Sequence, residues 1–240
     1  MSLISPPSPG STAPADRFWA VIPCAGNGSR SGAQGPKQYQ VVAGKPMVLH
    51  TLQAFAEVPA LAGVLVVVSE GDDFFGSTPL PPPMRVQPCG GATRAQSVAN
   101  GLAALLQQGA LSSDWVLVHD AARCLITPAL IQSLLDACQH DTVGGLLALP
   151  LPDTLKSARG QRVDATLERA DKWLAQTPQM FRLGALQAAL AAAGDAVTDE
   201  SSAMELAGCA PLLVPGSAQN FKVTYPQDFA LAQALLLLRQ

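Results

Sequence analysis

Apolar positions along the chain switch repeatedly between two periods. Residues 18–23 form a short, continuously apolar run that ends in a glycine-rich stretch, and 63–69 (GVLVVVS) is a second run rich in β-branched residues. Residues 115–119 and 144–150 repeat the pattern, as strands covered on both faces by helices do. Between them, Met47, Val48, Leu52 and Phe55 recur near helical spacing within 46–58. Val98, Leu102, Leu105 and Leu106 form one stripe within 94–108, and 128–139 reads as a helix with proline in its first turn. Alternating strands and helices predict an α/β fold, a mostly parallel sheet with helices on both faces. No repeat of fixed period interrupts it.

The pattern changes at Asp153. Charges cluster and apolar residues thin out through Ala175, and Arg159-Gly160-Gln161 stands where a hairpin would turn. This predicts a β-arm over about 152–175, projecting from a single domain of 17–240 and needing a partner surface. Strand and helix signals resume at 179–181, 183–193, 199–207, 212–214 and from Pro226 onward. The Pro/Ser-rich residues 1–16 read as a disordered tail, and the prolines at 79–83 as a stiff surface loop.

Composition narrows the possible functions. The chain has 240 residues and 24.8 kDa, 48 % hydrophobic and 14 % charged, with mean hydropathy +0.23, which excludes whole-chain disorder. A net charge of −3 and pI about 5.5 argue against a nucleic-acid surface, so an anion site must be local. No apolar run approaches the ~20 residues of a membrane span, and the N-terminus has no signal-peptide pattern. Five widely spaced cysteines without a CxxC pair fit a reducing cytoplasm.

Ligands of open α/β sheets bind beyond the carboxyl ends of the strands, and three segments lie there. The first, PCAGNGSRSGAQGPKQY (23–39), has glycines that let main-chain N–H groups approach an oxyanion. It matches neither a dinucleotide fingerprint nor a Walker loop. Arg30 and Lys37, seven residues apart, suit a triphosphate attacked at its α-phosphorus; an ordinary strand-to-helix turn with solvated cations is the alternative. The second, from Pro88 to Ser97, puts Gly90-Gly91 before a helix start where Thr93 serves as cap. The third, VHDAAR (118–123), leaves a buried strand with Asp120 placed for Mg²⁺, a helix cap or buried ion-pair partner being the alternative, Arg123 for a second anion, and His119 packed within the fold.

These segments, with DTLK, TPQMF, TDESSAMEL and NFKVTYPQD, follow one another from residue 23 to 228. In that order they resemble the 2-C-methyl-D-erythritol 4-phosphate cytidylyltransferase family. The resemblance implies a Rossmann-like nucleotidyltransferase fold, a homodimer joined through the arm, and Mg²⁺-dependent transfer of CMP from CTP to methylerythritol phosphate. It assigns Ala25, Gly26 and Gly28 to the CTP phosphates, Arg30 and Lys37 to catalysis, and Gly91, Ser97 and Ala121 to cytosine and ribose. Asp120 would serve metal and substrate. Arg123, Thr154, Arg169, Thr198 and Lys222 would surround the acceptor, with Thr154 and Arg169 supplied by the neighbouring subunit; Thr177 is added to them.

Two departures from the family pattern stand out. Cys24-Ala25-Gly26 replaces Ala-Ala-Gly, and Ala92 replaces the acidic residue after Gly-Gly. Transfer to ribitol 5-phosphate, or a non-catalytic nucleotide-binding module, are the rival expectations. The length predicts no fused second enzyme.

Overall fold

The computed structural model describes residues 16–26 and 35–239. Residues 1–15 of the tail expected over 1–16, together with Gly28 and Arg30, therefore lie outside the described residues. In chain order the elements are β1 (Phe18–Pro23), a 3₁₀ turn (Lys37–Tyr39), β2 (Val41–Val42), β3 (Lys45–Pro46), α1 (Met47–Ala56), β4 (Leu61–Val67), α2 (Phe74–Ser77), β5 (Met84–Gln87) and α3 (Arg94–Gln107). They continue with β6 (Trp115–Val118), α4 (Pro128–Cys138), β7 (Gly144–Pro150), β8 (Leu155–Arg159), β9 (Arg162–Leu167), β10 (Trp173–Arg182), α5 (Leu183–Ala193), α6 (Glu200–Leu206), β11 (Leu212–Pro215) and α7 (Pro226–Leu237).

Seven strands form one sheet in the order β11-β7-β10-β6-β1-β4-β5. β1 pairs in parallel with β4 on one side and β6 on the other, and β4–β5 and β11–β7 are also parallel. β10 runs antiparallel to both β6 and β7. The chain builds outward from β1 through β4 and β5, then returns to the far side of β1 with β6. That reversal opens a crevice at the carboxyl ends of β1, β4 and β6.

Side-chain alternation explains the two-layer cover. Ala20 and Ile22 of β1 and Trp115 and Leu117 of β6 face one core, packed with Leu52 and Phe55 of α1 and Ile131 and Leu134 of α4. Val21 of β1 and Val116 and Val118 of β6 face the other, with Val98 and Leu102 of α3 and Leu186 of α5. Strands buried on both faces read as uninterrupted apolar runs for this reason. The helix starts also follow from sequence: Thr93 and Thr127 accept N-cap hydrogen bonds from the main-chain N–H groups of Gln96 and Leu130.

One expectation needs adjustment, and one strand was not expected. The strand expected at 179–181 is ten residues long, Trp173–Arg182, so the last part of the expected arm is already sheet, paired with β7 from Trp173 onward. β5 has no apolar run to announce it because it is an edge strand only partly covered, with Arg85 exposed. The arm itself is the β8–β9 hairpin, with every residue of β9 exposed. Val163 and Leu167 are among its exposed apolar side chains, and Trp173 and Leu174 are exposed nearby at the start of β10.

Candidate active site

The crevice holds a cavity of about 460 Å³. Ala25, Gly26, Lys37, Gly91, Ser97, Asp120, Ala121 and Lys222 all line it, drawn from four separate segments of the chain.

The PKQY segment is fastened on both sides. Gln38 is buried and donates from Nε2 to the Cys24 carbonyl at 2.8 Å. Tyr39 donates its hydroxyl to Asp72 Oδ2 at 2.6 Å and stacks on Phe74 with centroids 4.0 Å apart. Between these anchors Lys37 enters the cavity, and its Nζ donates to the Val223 carbonyl at 2.7 Å. Burial pushes the Cys24 thiol up to about 12, only partly opposed by its contact with Tyr39, so Cys24 is a packed small residue beside the loop.

Opposite stands the wall before α3. Gly90 donates to the Val68 carbonyl at 2.8 Å, and a Cβ there would fall 2.4 Å from that of Ala25. Only glycine permits this approach of the two loops. Ser97 accepts from the Gly91 N–H at 3.0 Å and donates to the Thr93 carbonyl at 2.9 Å, so its hydroxyl fixes the shape of the wall.

The floor is a cluster of charges centred on Asp120. Lys222 Nζ lies 2.9 Å from Oδ2, Arg94 Nε 2.7 Å from Oδ1, and Arg123 Nε 3.6 Å from Oδ2. Arg94 also forms a two-pronged pair with Glu200, at 2.7 and 3.0 Å. Burial alone would raise the Asp120 pKa, but Arg94, Lys222 and Arg123 together hold it well below the ordinary carboxylate range. Arg123 donates to the Asn220 carbonyl at 2.7 Å, and burial lowers its pKa despite Asp120.

Neighbouring residues position this cluster. His119 is fully buried, and burial lowers its pKa to about 3, so it is neutral; its Nδ1 lies 3.0 Å from Thr177 Oγ1. That same Thr177 oxygen accepts from the Asp120 N–H at 3.0 Å. Asn220 donates to the Thr177 carbonyl at 2.9 Å, and the Val223 N–H to the Ala122 carbonyl at 2.9 Å, laying the Lys222 segment along the VHDAAR turn. Gln179 joins TPQ to TDE by donating to Asp199 at 2.8 Å and accepting from the Ser201 N–H at 2.7 Å.

The expected site residues therefore divide. Thr177 is buried beneath the cavity rather than lining it, and Arg123 packs against Asp120 just behind it. Thr198 is exposed, outside the cavity lining, beside the Asp199 cap of α6. Thr154 and Arg169 are exposed on the arm, where Arg169 donates to the Pro152 carbonyl; this chain does not bring them to its own cavity. Arg94 and Glu200 were missed by the sequence reading. Both lie inside its motifs, GGATRAQSV and TDESSAMEL, but nothing local marks them as partners 106 positions apart.

Asp120 does not fit the expected role of magnesium ligand. It is the one acidic residue lining the cavity among the described residues, and both its oxygens already face cations. No group of three or more His, Cys, Asp or Glu suited to a metal occurs among the described residues. A divalent cation held there would meet three positive side chains.

A mostly parallel sheet whose strand ends carry a cavity of about 460 Å³, lined by glycines and by lysine and arginine, marks the class of α/β proteins that bind an anionic ligand at their strand ends. Comparison with known proteins narrows that class. The chain belongs to the 2-C-methyl-D-erythritol 4-phosphate cytidylyltransferase family, whose model matches residues 18–238. This family performs CTP-dependent cytidylyl transfer in isoprenoid precursor synthesis. The chain is 69 % identical over 224 residues to a bifunctional IspD/IspF enzyme of Albidiferax ferrireducens, covering 93 % of this chain but about half, 54 %, of that longer protein. It is 53 % identical to the 2-C-methyl-D-erythritol 4-phosphate cytidylyltransferase of Chromobacterium violaceum, covering 92 % of this chain and 98 % of the relative. Among solved structures, a 4-diphosphocytidyl-2C-methyl-D-erythritol synthase superposes with TM-score 0.83 at 40 % identity, covering 92 % of this chain and 99 % of the other. No helix among the described residues is long and apolar enough to cross a membrane.

Proposed function

We propose that this chain transfers CMP from CTP to the phosphate of 2-C-methyl-D-erythritol 4-phosphate, releasing pyrophosphate. The observation that carries this reading is the convergence of Lys37 and Lys222 on one glycine-walled cavity in a chain whose net charge is −3. The nucleophile is a phosphate oxygen, already ionised near neutral pH, so no general base is required. The difficulty lies in bringing two anions together and dispersing charge at the α-phosphorus. Fixed cations meet it by positioning and electrostatics.

In this reading the Ala25–Gly26 and Gly91 segments accept the nucleotide, Lys37 acts with Arg30 on the triphosphate, and Lys222 and Arg123 face the acceptor phosphate. Magnesium accompanies the triphosphate as its counter-ion and is assigned to no carboxylate of this chain. Thr154 and Arg169 act from the arm of a second copy, in a homodimer. Exposed Val163, Leu167, Trp173 and Leu174 on and beside the arm support that assembly, because apolar side chains gathered on a thin hairpin favour a partner. A domain of 17–240 with a dimerisation arm, working in the cytoplasm, completes the proposal; five unpaired cysteines are consistent with a reducing compartment.

The test is pyrophosphate release in magnesium buffer, with CTP, ATP, GTP or UTP offered against methylerythritol phosphate or ribitol 5-phosphate. Release with CTP and methylerythritol phosphate far above every other pair supports the reading. Equal release with ribitol 5-phosphate would reassign the acceptor, and no release with any pair would leave only a binding module.

A further inference from the structure

Glu200 is the most deeply enclosed charge near the cavity that the proposed reaction does not use. It is fully buried at the first position of α6, and its two oxygens accept from Arg94 Nη1 and Nη2. The remaining edge of the guanidinium, through Nε, goes to Asp120 Oδ1 at 2.7 Å. Burial would lower the Arg94 pKa, but Glu200 and Asp120 more than reverse this, so its charge is permanent. Asp120 in turn presents its other oxygen to Lys222 at 2.9 Å and Arg123 at 3.6 Å.

We infer that Glu200 and Arg94 are positioning residues, a relay running from the buried Glu200 through the partly buried Arg94 at the cavity edge, that fixes the Asp120 carboxylate and so sets where Lys222 and Arg123 hold their charges for the acceptor. Three arguments support it. The first is geometric: a planar guanidinium engaged along two edges locks both carboxylates in one plane, which a lysine cannot do. The second is electrostatic. Asp120 and Glu200 carry two negative charges against three on Arg94, Arg123 and Lys222, leaving one net positive charge. Without Arg94, Asp120 would be drawn wholly onto Lys222 and Arg123 and would compete with an incoming phosphate. The third is topological. Arg94 opens α3, directly after the glycine wall of the nucleotide side, and through Asp120 it reaches Lys222 and Arg123 on the acceptor side. The relay thus joins the nucleotide side of the cavity to the acceptor side through one side chain.

This inference rests on the transfer reading above, and its test separates the two. Glu200→Gln keeps the shape and one acceptor oxygen but removes the charge. Arg94→Lys keeps a charge but reaches only one partner. Both should raise the KM for methylerythritol phosphate about 10–100-fold, the scale seen when outer partners of a preorganised site are lost. The KM for CTP should stay within about threefold in Glu200→Gln. Because a severed buried pair can unfold a protein, a third variant, Arg94→Met with Glu200→Leu, removes both charges, a change that buried pairs often tolerate. It should melt close to the parent and show the same acceptor defect. A folded variant with the parental acceptor KM, losing only thermal stability, would make the relay purely structural and overturn the inference. A parent that released no pyrophosphate would instead overturn the transfer reading itself.

Discussion

Lys37 Nζ donates across 2.7 Å to the carbonyl of Val223, a residue 186 positions later in the chain. Val223 is fully buried and adjoins Lys222, so one contact sets the lysine of the first loop beside the lysine of the last. The Lys37–Tyr39 turn is held independently of this ammonium group, by Gln38 on Cys24 and Tyr39 on Asp72. Lys37→Ala should therefore keep the fold while turnover falls on the order of 10²–10³, as for loss of one preorganised charge donor. Circular dichroism and steady-state pyrophosphate release measure the two effects separately; a folded variant turning over near the parental rate would remove Lys37 from the chemistry.

Gly90 offers a steric test of the same cavity. Its Cβ position lies 2.4 Å from Ala25 Cβ and 2.9 Å from the Val68 carbonyl oxygen. Gly90→Ala must displace the Ala25 segment that lines the cavity, and a misplacement near 1 Å can lower rate about 10²-fold. Adding Ala25→Gly should restore part of kcat/KM for CTP, because the clash with Val68 remains. Identical kinetics for the single and double variants would contradict this geometry.

Acid sensitivity follows from His119. Its pKa is about 3 when folded against an ordinary value of 6.5, so between those values the unfolded chain binds a proton that the folded chain refuses. Unfolding free energy should then decline as pH falls from 6.5 toward 3, by at most about 1.4 kcal/mol per pH unit from this group. Asp120, held below its ordinary 3.8, adds stability that is present above that value and lost as pH falls further. Urea midpoints of parent and His119→Gln from pH 7 to 4 check this: the variant should show a flatter slope, and a parental slope would exclude His119 as the source.

Thiol accessibility gives a fourth check. Burial pushes Cys24, Cys124 and Cys138 up to about 12, whereas Cys89 and Cys209 are only partly covered. Iodoacetamide at pH 8 should label Cys89 and Cys209 first, with peptide mass spectrometry reading the sites. Early labelling of Cys24 would contradict its packed place beside Ala25 and Gly26.

The pattern of apolar runs located β1, β4, β6, β7 and most helices to within a few residues, because strands covered on both faces must be apolar throughout. β5 and the first part of β10 escaped it, since an edge strand and an exposed strand end lack that requirement. Ala25, Lys37, Gly91 and Asp120 were legible as loops at strand ends. The Glu200–Arg94–Asp120 relay was not, because long-range ion pairing leaves no periodic trace and each residue has an ordinary local explanation. Thr154 and Arg169 show the converse limit: motif order assigns them to a site that their own chain does not bring them to.

The most direct test of the central claim, that this cavity drives one phosphate onto another, is ³¹P NMR of the protein with CTP, magnesium and methylerythritol phosphate. The account predicts paired diphosphate resonances of a cytidine diphosphate ester, growing in step with pyrophosphate and absent without the acceptor. Pyrophosphate appearing together with free CMP, at the same rate with or without the acceptor, would contradict it.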